Sequence, residues 1–184
     1  RYPDSTEALD IALRVSDGLE RNRKRSAAAD VLRLLWEHKP GAANRKAAER
    51  ASELYGQEGN PRLRIRSAQL CENMVEKLPA SPYVRRAGFR SITEYRAISR
   101  WAEANQAAQK LIQKRLPLNR TQQFNLHHLM TQSYASQSQW ANAVESMRKA
   151  RGFRDGPDLY AAQISYMHNA ALKAQQIEAE VRGM

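Results

Sequence analysis

The chain has 184 residues and a net charge of +11, with 30 Lys and Arg against 19 Asp and Glu. That length suffices for one domain with a sizeable core, or for several small stacked units. A lone cysteine, Cys71, excludes a disulfide within the chain and leaves the redox compartment open. No apolar run approaches the ~20 residues of a membrane helix.

The charge is uneven. Residues 1–20 carry 2 basic and 5 acidic groups, residues 21–120 carry 22 and 9, and residues 121–184 carry 6 and 5. A basic middle attracts acidic peptides, nucleic acid or phosphorylated surfaces without choosing among them. Abundant Ala, Arg, Gln, Leu and Glu favour helix, and no alternating β-branched run is long enough for a strand. The chain opens RYPDS without an initiator Met and is expected to be a segment of a longer protein.

In chain order, helices are predicted at about 5–22 and 26–38, 42–56 and 62–77, 83–98 and 101–115, then 120–136 and 140–152. A last helix is expected over 158–181, opening after Gly156 and Pro157 with Asp158 in its first turn and a stripe of Leu159, Ile164, Met167, Ala171 and Leu172. It reads as a cap or as the start of a fifth unit.

The helices repeat in pairs. Pro40, Pro79, Pro117 and Pro157 are separated by 39, 38 and 40 residues, and each removes a backbone donor where a unit closes. Arg25, Ala28, Leu32 and Leu35 have counterparts 39 residues later in Arg64, Ser67, Cys71 and Met74. The same beat gives Trp101, Ala104, Ala108 and Leu111, then Trp140, Ala143, Met147 and Ala150, each set lying on one helix face. Leu19, Tyr95 and Tyr134 stand six residues before Arg25, Trp101 and Trp140. Tyr55 stands nine before Arg64, with Gly56, Gly59, Asn60 and Pro61 between, so the second unit is expected to have a longer turn.

An aromatic at the turn, then small, large and small residues before a closing proline, resembles the tetratricopeptide repeat. Residues 120–157 carry the resemblance best, through Tyr134, Trp140, Ala143, Met147 and Ala150. Residues 82–117 depart from it at Ala108, and residues 5–40 and 41–79 put Arg25 and Arg64 at the aromatic position. No copy has the glycine expected where the helices of a pair cross, and the units exceed the usual ~34 residues. A divergent tetratricopeptide-like or Sel1-like array over residues 1–184 is the reading that fits. The resemblance implies an all-α solenoid, a right-handed superhelix of about four helix pairs whose first helices line a concave groove. It further implies a non-catalytic scaffold for a peptide or partner domain.

First-helix residues off the packing stripe are the groove candidates: Arg86, Arg90, Thr93 and Arg96 in the third unit, Asn125, His128 and Gln132 in the fourth, with Lys46, Glu49 and Glu53 in the second. Arginine forks bind carboxylates bidentately, so an acidic peptide is the expected ligand. The competing reading of these residues is a solvated helix face. Arg21, Arg23, Lys24 and Arg25, with Arg62, Arg64 and Arg66, leave nucleic-acid binding as an alternative, although no recognised reader motif accompanies them. Another alternative is an accessory domain of a larger envelope or secretion protein or enzyme, in the bacterial periplasm or cytoplasm.

No catalytic residue, metal site or cofactor is predicted. His127 and His128 are adjacent on a helix and hence about 100° apart, His38 and His168 stand alone, and no HExxH, GxSxG or GKS motif occurs. Cys71 falls on an apolar stripe, where a buried structural thiol is the expectation. Trp36, Trp101 and Trp140 are expected in the core, while Phe89, Tyr83 and Tyr160 fit either core or site.

Overall fold

The computed structural model describes residues 5–153, 167–175 and 179. Their regular structure is helical throughout: α1 (Ser5–Arg21), α2 (Arg25–His38), α3 (Arg45–Gln57), α4 (Pro61–Lys77), α5 (Pro82–Ala97), α6 (Trp101–Gln113), α7 (Arg120–Ala135) and α8 (Trp140–Arg151), with a further helical stretch at 167–175. The chain is an all-α solenoid of helix pairs. It packs as two compact units, one of Arg1–Arg100 with Gln109–Leu116, the other of Trp101–Ala108 with Pro117–Met184.

Helix starts follow capping chemistry. Asn60 accepts from the backbone N–H of Arg62 and Pro61 fills the first helical position of α4, while Ser81 caps Val84 ahead of Pro82 in α5. Asn119 and Gln122 form a reciprocal capping box at α7. The link from α2 to α3 is held by buried Asn44, whose Nδ2 donates to the Lys39 carbonyl at 3.0 Å.

The turn within each pair shares one backbone feature. Arg23, Gly59, Ser99 and Ser138 all have positive φ, at 59, 68, 59 and 57°. Each stands two residues before the helix that follows. A single left-handed residue reverses the chain in a short loop.

The second pair corrects the expected long turn. Between Gln57 and Pro61 there are as few residues as between Arg21 and Arg25, and the additional residues lie inside α4, which has 17 residues against 14 in α2. Asn60 and Pro61 are strong start signals, so α4 begins one turn earlier while its packing face keeps the repeat spacing: Ser67, Ala68 and Cys71 are buried like Ala28, Ala29 and Leu32.

The first unit's core is small on one side and large on the other. Ala47, Ala48 and Ala51 of α3 and Ala87, Gly88 and Ser91 of α5 present little bulk, while Trp36, Leu54, Tyr55, Met74 and Ile92 fill the space between helices. Burying each of the large aliphatic residues stabilises the fold by roughly 1.5–3 kcal/mol. A glycine does mediate a close approach, at Gly88, one turn away from the position the family pattern favours. A Cβ there would meet Leu111 Cδ1 at 2.4 Å.

Polar ties join one pair to the next in this unit. Trp36 Nε1 donates to Asn73 Oδ1 at 2.9 Å, Arg66 pairs with Asp30 at 3.2 Å, and Lys110 reaches Glu72 and Glu76 at 2.5 and 2.9 Å.

In the second unit, Phe124, Ala143, Val144, Met147, Ala150 and Met167 form the core, with Tyr134, Trp140 and Phe153 packed against it. Trp36 is fully buried, as expected, but Trp101 and Trp140 are half-buried. Each is the first residue of its helix. Of the predicted last helix, residues 167–175 are helical; Gly156, Pro157, Asp158, Leu159, Tyr160 and Ile164 lie outside the described residues.

Candidate functional site

A cleft of about 190 Å³ opens in the first unit among α3, α4 and α5. Its floor is Cys71 and Met74 of α4, each 1% exposed, with Ala87 of α5. Glu49 and Glu53 edge it from α3, Arg86 and Arg90 from α5, and Tyr83 stands at one end, 39% exposed. Both charged pairs are spaced by four residues, so each pair lies along one helix face, one turn apart.

The arginines expected to make a basic groove face carboxylates. Arg86 lies 3.6 Å from Glu49, and Arg90 lies 3.6 Å from Glu53. Arg45 donates to both carboxylate oxygens of Glu49 at 3.1 Å and stacks its guanidinium 3.3 Å from the Tyr83 ring centre, with Arg86 at 4.9 Å from the same ring. The two groove walls therefore carry opposite charges that face each other.

Distances separate these groove pairs from the ion pairs that tie helices together. Arg50 donates to Glu20 at 2.6 and 2.8 Å, and Arg64 to Glu94 at 2.7 Å. Across the groove the separations are 3.6 Å, beyond hydrogen-bond length. Glu53 has only long contacts by comparison, with Arg50 at 3.7 Å and Arg90 at 3.6 Å. Arg90 makes one long bond, 3.4 Å to Ser52 Oγ. Donor and acceptor capacity is thus concentrated at the cleft mouth.

The other predicted groove residues are dispersed. Thr93 is exposed and donates back to the Phe89 carbonyl at 3.0 Å. Arg96 is half-buried, and desolvation lowers its pKa. Lys46 is exposed and does not line the cleft. In the second unit, Asn125 is exposed, while His128 stacks on Phe124 at 5.6 Å and sits 3.0 Å from Gln132 Nε2. The adjacent His127 points elsewhere, stacking on Phe153 at 5.7 Å with Nδ1 buried and lacking a hydrogen-bond partner among the described residues. Burial first, and Lys149 second, hold its pKa below the ordinary 6.5. Sequence reasoning left Tyr83 open between core and site and missed Met74 and Cys71 as cleft residues. Tyr83 follows a Ser-Pro helix start, and that was the available sign that its ring would sit at an open helix end.

A larger cleft, about 370 Å³, lies between α2 and α4 with Trp36 and Leu70 among its lining. Its Arg33 already donates to Glu37 and to the Tyr55 hydroxyl, and Arg66 to Asp30, which leaves less free valence than the α3–α5 groove. At the turn after α1, Arg21, Arg23, Lys24 and Arg25 are all exposed and form no ion pair among the described residues.

Burial pushes the Cys71 thiol up to about 12, so the thiolate is scarce at neutral pH. Among the described residues no group of three or more His, Cys, Asp or Glu is placed to hold a metal, and no helix is long and apolar enough to cross a membrane.

No protein-family model and no curated protein matches the sequence. Two solved structures do match its fold. One, described as a MamA RS-1 ArsTM double mutant, superposes with a TM-score of 0.54 at 13% identity, covering 100% of this chain and 98% of that one. The other, MamA from residue 41 to its end from Desulfovibrio magneticus RS-1, gives 0.53 at 14% identity over 100% and 99%. The fold is a tetratricopeptide-like helical repeat. At that identity the likeness carries architecture alone, and the site stands on its own residues.

Proposed function

We propose that the chain is a non-catalytic protein-interaction scaffold that holds a peptide segment in the α3–α5 groove. The observation that carries this reading is a cleft with an apolar base, Cys71 and Met74, rimmed by Arg86, Arg90 and Glu53, whose cross-groove contacts at 3.6 Å are longer than hydrogen bonds. A pocket with a few convergent polar groups around an apolar base is the usual form of a recognition site. The solenoid supplies the rigid frame.

Selection of a peptide-display library on the folded chain tests it. The selected peptides should lose at least about tenfold in affinity on Tyr83→Ala, which removes an exposed rim residue, and on Ala87→Trp, which fills the cleft. Binders indifferent to both changes would place recognition elsewhere and end this proposal.

A second reading, polyanion or nucleic-acid binding, is favoured by the exposed cations at Arg21, Arg23, Lys24 and Arg25. It requires affinity for a short oligonucleotide that falls steeply with salt. An absence of binding at low salt removes it.

A further inference from the structure

We propose that α1 carries a self-association seam, in which the stripe of Ala8, Ile11, Val15 and Gly18 packs antiparallel against the same stripe of a second copy of this chain. No α1 residue lines the α3–α5 groove, so the proposal is independent of the peptide reading.

The repeat itself exposes the seam. The left-handed turn residues fix the register of the first helices: Arg23, Gly59 and Ser99 are 36 and 40 residues apart. Moved by those steps, Ala8, Ile11, Val15 and Gly18 coincide with Asn44, Ala47, Ala51 and Leu54 at α3, and with Val84, Ala87, Ser91 and Glu94 of α5. All of these counterparts are buried, whereas Ile11 is 56% and Val15 46% exposed. A Cβ added at Gly18 would meet nothing within 4 Å. The difference lies in what precedes each helix: α3 packs on α2 and α5 on α4, while α1 has no helix before it among the described residues. These positions are thus the face that a first helix turns to the preceding pair. In α1 that face is apolar and open, where a helical array normally ends on a polar one.

A second copy fits it by symmetry and by charge. The stripe is spaced by three, four and three residues and is symmetric about position 13, so an antiparallel pair sets Ile11 against Val15 and Ala8 against Gly18, each contact occurring twice. Small residues at the outer positions let the two backbones approach. Glu7 and Arg21 flank the stripe on one side, are exposed, and make no ion pair among the described residues. Antiparallel packing brings Glu7 of one copy towards Arg21 of the other at both ends, the device by which paired helices fix orientation. Arg14, on the same edge, falls near its own copy, and each Arg14 is already paired with Asp10 at 2.9 Å. One helix pair buries less than the ~1,200 Å² of a standard interface, so the dimer is weak and concentration-dependent.

Analytical ultracentrifugation of the full chain should show a monomer–dimer equilibrium. Val15→Lys should weaken the dimer at least about tenfold, because it buries a charge in the seam, and should leave the circular dichroism spectrum unchanged because Val15 is exposed in the monomer. Glu7→Arg should weaken the dimer, and Arg21→Glu in the same chain should restore it. Cross-linking reads the orientation: chains carrying Ala8→Cys and chains carrying Gly18→Cys should form a disulfide when mixed, and neither should do so alone. In the antiparallel pair, like positions lie ten residues apart along the helix, about 15 Å, too far for a disulfide. The native Cys71 is buried and does not compete. A chain that stays monomeric up to about 1 mM overturns the proposal and leaves the stripe to a helix of another protein. A dimer indifferent to Val15→Lys overturns it too, and a Gly18→Cys chain that cross-links by itself overturns the antiparallel register.

Discussion

Gly88 and Leu111 interlock. A β-carbon on Gly88 would stand 2.4 Å from Leu111 Cδ1 and 3.1 and 3.2 Å from Cδ2 and Cγ, and Leu111 is fully buried. Gly88→Ala should therefore destabilise the protein by about 1–3 kcal/mol through overpacking, despite the ~0.5–1 kcal/mol that alanine gains over glycine in a helix. Gly56→Ala is the contrast. Its β-carbon meets Glu94 Oε1 at 2.6 Å, the far end of a flexible side chain, and the cost should be smaller. Urea unfolding of the two variants checks the order.

Trp36 and Trp140 should part company. Trp36 is fully buried and donates to Asn73, so Trp36→Ala should cost about 3–5 kcal/mol. Trp140, half-buried at the first position of α8, should cost clearly less, about 1–2 kcal/mol by its smaller transfer of apolar area. Equal losses in thermal or chemical unfolding would contradict the assigned packing.

Arg64 and Glu94 should show strong coupling. The Glu94 side chain is 11% exposed and Arg64 donates to it at 2.7 Å, so removing the cation alone strands a mostly buried carboxylate. Arg64→Met should destabilise by about 1–3 kcal/mol, and Glu94→Leu in the same chain should recover part of the loss. A double-mutant cycle that closes to zero would count against the pair.

Stability should fall at both ends of the pH scale. His127 has a depressed pKa in the folded state, so the unfolded chain takes up a proton there first; its contribution is present above the ordinary 6.5 and is lost as pH drops below that value. His127→Phe should flatten the acid limb. Tyr55 and Cys71 are raised from 10.0 and 9.0 to about 12, mainly by burial, so their contributions hold below 9.0 and fade as pH climbs towards 12. Unfolding curves across pH, read for the parent and His127→Phe, test the sign.

The helices were legible because prolines and apolar spacing both mark them, and two independent signals agreed at Pro40, Pro79 and Pro117. Arg86 and Arg90 could be placed on one exposed face from periodicity alone. Their pairing with Glu49 and Glu53 could not, because it depends on how two helices about forty residues apart in sequence are brought side by side. The start of α4 was placed within one residue, yet a longer turn was expected because Gly59 and Asn60 are turn formers; here they serve as a left-handed residue and a cap in a turn of ordinary length. Trp101 and Trp140 follow the packing stripe in sequence, yet helix ends cover less of a side chain than helix middles do.

The recurring turn has a consequence for how such an array changes over time. Its reversal depends on one backbone angle, satisfied in this chain by Arg23, Gly59, Ser99 and Ser138 alike. Left-handed backbone costs a non-glycine residue about 1–2 kcal/mol, so the three substituted turns carry a modest penalty that a glycine would relieve. In return the side chain at each bend is structurally idle. Surface charge can be rewritten at every hairpin, as Arg23 beside Lys24 already does, with the backbone path left as it was.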